Sequence, residues 1–181
     1  MLANIPSGIL LFLLISVIMT ATIVIVGGTI WGLIKARKND TSDKKMVILL
    51  SVLSIFIAAV SWMANFGWIR FIMTFLLIPF IHAIIFFLTN LFVSSYVDKS
   101  RKLKMLNLFF IVTYLMFYIF LPDGGDIGGL YFFFGLIHND TLLSIAEFIL
   151  SIALPGHVVL FILQIIQVIA LKKNKYNGNG N

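Results

Sequence analysis

The stretch that decides the fold is MVILLSVLSIFIAAVSWMA, which runs from Met46 to Ala64. It contains no charged residue, and its length approaches the roughly 20 apolar residues that a transmembrane helix needs. Barrel strands are shorter, at about ten residues, and alternate apolar with polar side chains, which this run does not. The run therefore predicts a helix that crosses a membrane.

Four further runs of the same kind occupy residues 9–34, 71–93, 105–121 and 149–171. Over the whole chain 61% of residues are hydrophobic and 11% are charged, whereas a soluble domain carries roughly 25% charged residues. This excludes a soluble globule and a disordered chain. We expect an all-α polytopic membrane protein, a five-helix transmembrane bundle formed by residues 1–174 and followed by a disordered cytoplasmic tail at 175–181.

The basic residues predict the orientation of the bundle. Every Lys and Arg except Arg70 lies between the first two runs, between the third and fourth, or after the last. The positive-inside rule places these segments in the cytoplasm, which puts the N-terminus outside and the C-terminus inside. A single crossing then follows the turn at Pro122–Asp126, so residues 127–148 form a short re-entrant or interfacial segment. The alternative has six spans, with 127–150 as the fifth and the last lysines outside.

The same charges indicate the surroundings of the protein. We expect a multi-pass protein of a bacterial plasma membrane whose cytoplasmic lysines attract anionic lipid headgroups. Because orientation accounts for the net charge of +6, nucleic acid is not an expected partner. A membrane-protein partner or a second copy of the chain stays open. The chain has no cysteine, which excludes a disulfide framework and a thiol nucleophile.

Two of the runs carry polar or irregular features. In the second run, small and polar residues share one helical face, which predicts either a seam against another helix or the wall of a polar pathway: Ser51, Ser54, Ala58, Ser61 and Asn65. In the third run Pro79 removes a backbone donor. We therefore expect the third span to be kinked.

Two histidines lie within predicted spans, His82 in the third and His157 in the fifth. Ionisable groups inside a membrane are costly and are candidates for function. Three alternatives are open: a hydrogen-bonded interior histidine at each position, one haem held between the two imidazoles, or a proton relay or general base. Apart from these alternatives we predict no cofactor.

A second set of candidates lies on the predicted outer side. Its members could form a site for a substrate or an ion, and a divalent cation could bind their oxygen and nitrogen ligands: Arg70, Asp123, Asp126, His138, Asp140 and Glu147. The structural alternative is that Pro122–Gly125 is a turn, that Asn139 begins a helix, and that Arg70 pairs with an aspartate.

These observations support three hypotheses about function. The first is a small membrane protein that handles a small solute or ion, or assists a transport assembly, through the outward-facing acidic residues. The second is a membrane-embedded enzyme that acts on a lipid or lipid-linked substrate at the outer leaflet. The third is a non-catalytic immunity or stress-protection protein. The catalytic motifs HExxH and GxSxG are absent from the sequence, so whether the chain is an enzyme stays open.

Overall fold

The structure is a computed structural model that describes residues 7–38, 42–124 and 129–178, with side chains described over 15–37, 42–124 and 129–173. It contains six α-helices: α1 (Ser7–Lys38), α2 (Ser42–Ala64), α3 (Trp68–Phe75), α4 (Ile78–Ser94), α5 (Arg101–Phe120) and α6 (Asp140–Gly178). Four of them are long and apolar enough to cross a membrane, and α3 with α4 makes a fifth span if the bent pair is one crossing. The predicted all-α membrane bundle is confirmed.

The bundle is built around α5, which packs against α6 and α2, while α1 lies at the edge against α2 and α4. The main core consists of aromatic and aliphatic side chains from α2, α4 and α5 and the residue that follows α5: Ala58, Trp62, Phe86, Phe110, Ile111, Tyr114, Tyr118 and Leu121. Large apolar side chains such as Leu53, Phe56 and Met63 are exposed on the opposite face of α2. An apolar exterior of this kind is compatible with lipid and not with water.

The polar face predicted for α2 is buried along its whole length. The hydroxyls of Ser51 and Ser54 donate to carbonyls of their own helix, and Ser61 donates to the Tyr118 carbonyl on α5 at 2.9 Å. Small side chains let membrane helices approach closely, and these hydroxyls are already engaged. The face is therefore a helix–helix seam, and the alternative of a polar pathway is not supported.

The third span is broken, as the proline predicted. Helices α3 and α4 meet at an angle of 70°, and Leu77 between them adopts a left-handed conformation with φ of 60°. Pro79 lies in the first turn of α4, where its missing N–H costs no helical hydrogen bond. The break lets α3 lie across the end of the bundle instead of continuing through it.

The basic segments gather at one end of the bundle, called here the basic end. Lys104 on α5 contacts Asp43 on α2 at 2.6 Å, and Val93, Leu103 and Val168 pack together there. The loops that carry most of the lysines and arginines are therefore on one side, as the predicted topology requires. The opposite end, where Arg70 and Asp123 lie, is called the cap end.

The segment between α5 and α6 differs in extent from the predicted 127–148. Residues 129–139 form a non-helical cap with two isolated antiparallel bridges, Asp123 to Tyr131 and Phe132 to Ile137. Residues 140–148 belong to α6, which continues through Pro155 without ending there. Because Asn139 accepts the N–H of Leu142 and so caps the helix, α6 begins at Asp140 and not at Ile149.

The far end of α6 also extends beyond the predicted span. The helix continues to Gly178, so residues 175–178, predicted to be disordered, are helical. Between Leu171 and Gly178 the sequence has no proline or glycine, and lysines in the last turns interact favourably with the helix dipole. Residues 179–181 of the predicted tail lie outside the described residues.

Candidate functional site

Arg70 is fully buried beneath the cap and joins the ends of two helices. Its guanidinium donates to the carbonyl of Ser61 in the last turn of α2, and to the carbonyls of Tyr118 and Leu121 at the end of α5, the latter two at 3.1 and 3.0 Å. The last carbonyls of a helix have no partner within the helix. Arg70 therefore supplies donors to α2 and α5 at once.

Asp123 accepts hydrogen bonds from the backbone at the N-terminus of α3. Its carboxylate accepts the backbone N–H groups of Gly67, Ile69 and Arg70 at 2.8–3.0 Å, at the start of that helix. One carboxylate oxygen lies 4.0 Å from Nε of Arg70. A negative charge at a helix N-terminus and a positive charge at helix C-termini both agree with the helix dipoles. Arg70 and Asp123 thus form a buried ion pair, called here the ionic lock, which joins the ends of α2, α3 and α5 at the cap end.

The other predicted residues of the outer set do not join this lock. His138 is exposed, and its ring lies 4.8 Å from that of Tyr131 at a tilt of 31°. Its Nδ1 lies 3.0 Å from the Leu130 carbonyl. Asp140 and Glu147 are exposed on α6, and Asp126 lies outside the described residues. The structure thus brings together two of the six candidates, and backbone groups at the helix ends engage both the carboxylate of Asp123 and the two terminal nitrogens of Arg70, while Nε of Arg70 has no hydrogen-bond partner among the described residues.

A metal centre at the acidic residues stays a prediction. Among the described residues no group of three histidine, aspartate or glutamate side chains could hold a metal ion. Asp126, which was one of the predicted ligands, is not among them. The described part of the cap end therefore supports a structural role for Arg70 and Asp123.

The two intramembrane histidines are in direct contact. Nε2 of His82 on α4 lies 3.2 Å from Nε2 of His157 on α6. The contact continues on both sides: Nδ1 of His82 lies 3.0 Å from the Tyr118 hydroxyl, and Nδ1 of His157 lies 3.0 Å from the Thr113 hydroxyl, both on α5. A hydrogen-bonded chain therefore connects α4, α5 and α6 inside the bundle.

The proton positions in this chain follow from its last member. The Thr113 hydroxyl donates its single proton to the Phe110 carbonyl at 3.0 Å, so it accepts from Nδ1–H of His157. Neutral His157 then has a bare Nε2, which accepts from Nε2–H of His82, and Nδ1 of His82 accepts from Tyr118. All four bonds point the same way, from Tyr118 towards Phe110.

Aromatic rings enclose the pair. Phe110 stacks on His157 with ring centroids 4.1 Å apart, and Tyr114 lies 5.1 Å from the ring of His82. Metal–imidazole bonds are about 2 Å long, so a metal ion between two nitrogens needs about 4 Å between them. The 3.2 Å contact does not fit a haem iron held by both histidines.

A cavity of about 540 Å³ lies beside the Tyr118 end of the chain. Residues of all five helices from α1 to α5 line it, and Tyr114 and Tyr118 contribute to its wall. Volumes of this order are typical of sites for small molecules. The cavity and the hydrogen-bonded chain thus share Tyr118.

The sequence alone did not single out Tyr118 or Thr113. Both lie in an apolar run where a tyrosine or threonine is ordinarily a packing residue. The available signal was position: Thr113, Tyr114 and Tyr118 lie within two turns of α5, the helix that packs against both α2 and α6. Only the contact between helices identifies them as partners of the histidines.

Comparisons with family models, with curated proteins and with solved structures found no match. The functional conclusion therefore depends on the geometry of the ionic lock, the histidine pair and the adjoining cavity.

Proposed function

We propose that this membrane protein binds a small solute within the bilayer and exchanges a proton with it. The imidazole pair of His82 and His157 is the proton acceptor. The observation that carries the proposal is the 3.2 Å contact between the two Nε2 atoms, continued by Tyr118 and Thr113. Ionisable pairs inside a membrane commonly mark pathways for ions or protons.

The chain is suited to accept one proton and to return it. A proton that arrives at the Tyr118 oxygen releases the proton of that hydroxyl to Nδ1 of His82. The resulting imidazolium keeps its Nε2–H bond to the bare nitrogen of His157, which stabilises the added charge. Hydrogen bonds that point the same way polarise one another, which strengthens such a chain.

The hydrogen-bonded chain from Tyr118 to Phe110 can exchange a proton only at its Tyr118 end. Beyond His157 it finishes on the Phe110 carbonyl, which accepts a hydrogen bond but has no proton to pass on. A proton taken up by the pair therefore leaves by the route it entered, through Tyr118. This favours reversible proton exchange with a bound solute over a proton channel through the bundle.

The proposal moves the site away from the acidic residues at the cap end. Arg70 and Asp123 hold helices together there, while Asp140 and Glu147 are exposed on a different element. An enzyme at the outer leaflet would need acid and base groups that converge on one substrate. The described acidic residues do not converge, so we favour solute handling over catalysis.

We also propose that the basic end faces the cytoplasm of a plasma membrane. The positive-inside rule supports this, because the loops and helix ends there carry the basic residues: Lys35, Arg37, Lys44, Lys45, Lys99, Arg101, Lys102, Lys104, Lys172 and Lys173. The same residues suit anionic headgroups at that surface.

The test is a histidine-selective NMR titration of the protein in lipid nanodiscs. The variant His138→Gln removes the exposed histidine and leaves only the pair. We expect the two imidazoles to titrate together and to take up one proton per protein molecule. In His157→Phe, which lacks the accepting nitrogen, His82 should take up less proton over the same pH range. Two imidazoles that titrate independently would overturn the proposal.

A further inference from the structure

The cavity beside Tyr118 opens towards lipid. Its rim includes Ile18 and Val26 on α1 and Met63 and Phe66 at the end of α2, all of them large apolar side chains exposed on the outside of the bundle. In a membrane such side chains face hydrocarbon. A molecule that enters this cavity therefore comes from the bilayer interior and must itself be lipophilic.

The wall also restricts the polar part of the occupant. Among the described residues, none of those that line the cavity is charged. An ionised phosphate or ammonium group would therefore be desolvated without a partner, which is costly. The lining residues with polar side-chain groups are Tyr114, Tyr118, Thr22, whose hydroxyl donates to the Ile18 carbonyl, and Thr74, which accepts from Trp62 Nε1 at 2.9 Å. A neutral head with one or two oxygen atoms matches these groups.

We infer that the cavity binds a protonated long-chain fatty acid, whose carboxyl group donates to the Tyr118 hydroxyl and whose alkyl chain lies along the apolar wall. This rests on the proposed function, and it names the class of solute. The Tyr118 hydroxyl donates its proton in the hydrogen bond to His82, so its oxygen only accepts further hydrogen bonds, from the Tyr114 side chain and from the carboxyl group of the acid.

The proposed proton transfer involves three groups: the carboxyl group of the acid, the Tyr118 hydroxyl and the His82 imidazole. The O–H bond of the carboxyl group breaks, and its proton binds the Tyr118 oxygen. The former Tyr118 proton binds Nδ1 of His82, so the carboxylate keeps a hydrogen bond from the Tyr118 hydroxyl, whose oxygen accepts from the imidazolium on its other side. A carboxylic acid is a far stronger acid than an alcohol or a phenol. The chemistry therefore selects a carboxylic acid over an alcohol of the same length.

Trp62 in the cavity wall provides a reporter for binding. In the double variant Trp31→Phe, Trp68→Phe it is the one tryptophan that remains. We expect a dibrominated stearic acid, added to this variant in nanodiscs, to quench Trp62 fluorescence in a saturable manner. Stearic acid should compete for the site at about a tenfold lower concentration than its methyl ester, which has no proton to donate.

Two substitutions by phenylalanine provide a matched control. Ala59 lines the cavity and Ala170 lies on the exposed face of α6, and both are exposed. Ala59→Phe should fill the cavity and abolish saturable quenching, whereas Ala170→Phe should leave it unchanged. Quenching that rises only in proportion to total bromine, or equal competition by the methyl ester, would show ordinary lipid contact and overturn the inference.

A last measurement separates this inference from the proposed function. Stearic acid should shift the imidazole resonances of the His138→Gln protein, and it should not do so when Tyr118→Phe is added. If the pair takes up its proton in the titration but stearic acid shifts nothing, the ligand class is wrong and the proton acceptor stands. If the pair does not titrate as a unit, the proposed function fails whatever binds in the cavity.

Discussion

Arg70 and Asp123 lie against each other beneath the cap, with Nε and Oδ2 4.0 Å apart and both residues fully buried. Each also bonds to backbone at a helix end: Arg70 to carbonyls of α2 and α5, Asp123 to the N–H groups of α3. Four chain segments thus meet at one ion pair, because the segment that follows α5 carries Asp123. The pair fixes the cap end and so positions the helices that carry Tyr118 and His82.

The first prediction concerns this lock. Asp123→Asn keeps the shape of the side chain but removes the charge opposite a buried guanidinium. Breaking a buried ion pair on one side costs about 3–5 kcal/mol. We expect a corresponding loss in the free energy of unfolding, measured by thermal or denaturant melting in detergent. Asp140→Asn, at an exposed carboxylate, should leave the melting temperature unchanged, and equal effects of the two changes would contradict the lock.

The second prediction uses two glycines. A Cβ at Gly67 would lie 2.5 Å from Oδ1 of Asp123 and 2.6 Å from the Gly124 carbonyl, whereas a Cβ at Gly27 would meet nothing within 4 Å. Gly67→Ala should therefore lower the melting temperature by displacing the carboxylate. Gly27→Ala should leave it unchanged or raise it, because alanine stabilises a helix interior by about 1 kcal/mol relative to glycine. A neutral Gly67→Ala would show that the cap tolerates displacement of Asp123.

The third prediction concerns Tyr118. Tyr118→Phe removes the donor to Nδ1 of His82, which leaves that nitrogen without its partner in the chain. Loss of one partner of a buried hydrogen bond costs about 1–3 kcal/mol, and the tautomer of His82 should no longer be fixed. Imidazole nitrogen shifts report the tautomer. Tyr96→Phe, at the basic end, is the matched control and should leave both histidines unaffected.

The fourth prediction concerns orientation. The native chain has no cysteine, so single cysteines report accessibility without a background. A membrane-impermeant thiol reagent applied to intact cells should label Asp140→Cys and should not label Lys173→Cys. Both positions are exposed, so the difference would come from the membrane. Labelling of Lys173→Cys from outside would reverse the orientation that the basic loops predict.

Much of the fold was predictable because it depends on local composition. Apolar runs of span length fixed the helices, and Pro79 predicted the break between α3 and α4. The pairing of Arg70 with an aspartate was one of the structural alternatives, since a single cation outside the basic loops needs a partner. The extent of α6 was not predictable from hydropathy, because the helix begins at the Asn139 cap and not where the apolar run begins.

The candidate site was predictable only in part. His82 and His157 stood out because ionisable groups are rare inside spans, and both were candidates for a relay. Their direct contact depends on how α4 and α6 lie against α5, which one sequence does not contain. Tyr118 and Thr113 carry no sequence signal apart from their place on α5. The outer acidic residues are close together in the sequence, but the structure buries Asp123 beneath the cap and leaves Asp140 and Glu147 exposed on α6.

The proton acceptor depends on one hydrogen bond, in which Nε2 of His82 donates to Nε2 of His157. The most direct measurement is nitrogen–nitrogen scalar coupling across that bond, in protein with ¹⁵N-labelled histidine and the His138→Gln change. We expect coupling between the two Nε2 nuclei, with the proton on His82 Nε2 and with His157 protonated at Nδ1. Two imidazoles without mutual coupling, each exchanging freely between tautomers, would contradict it.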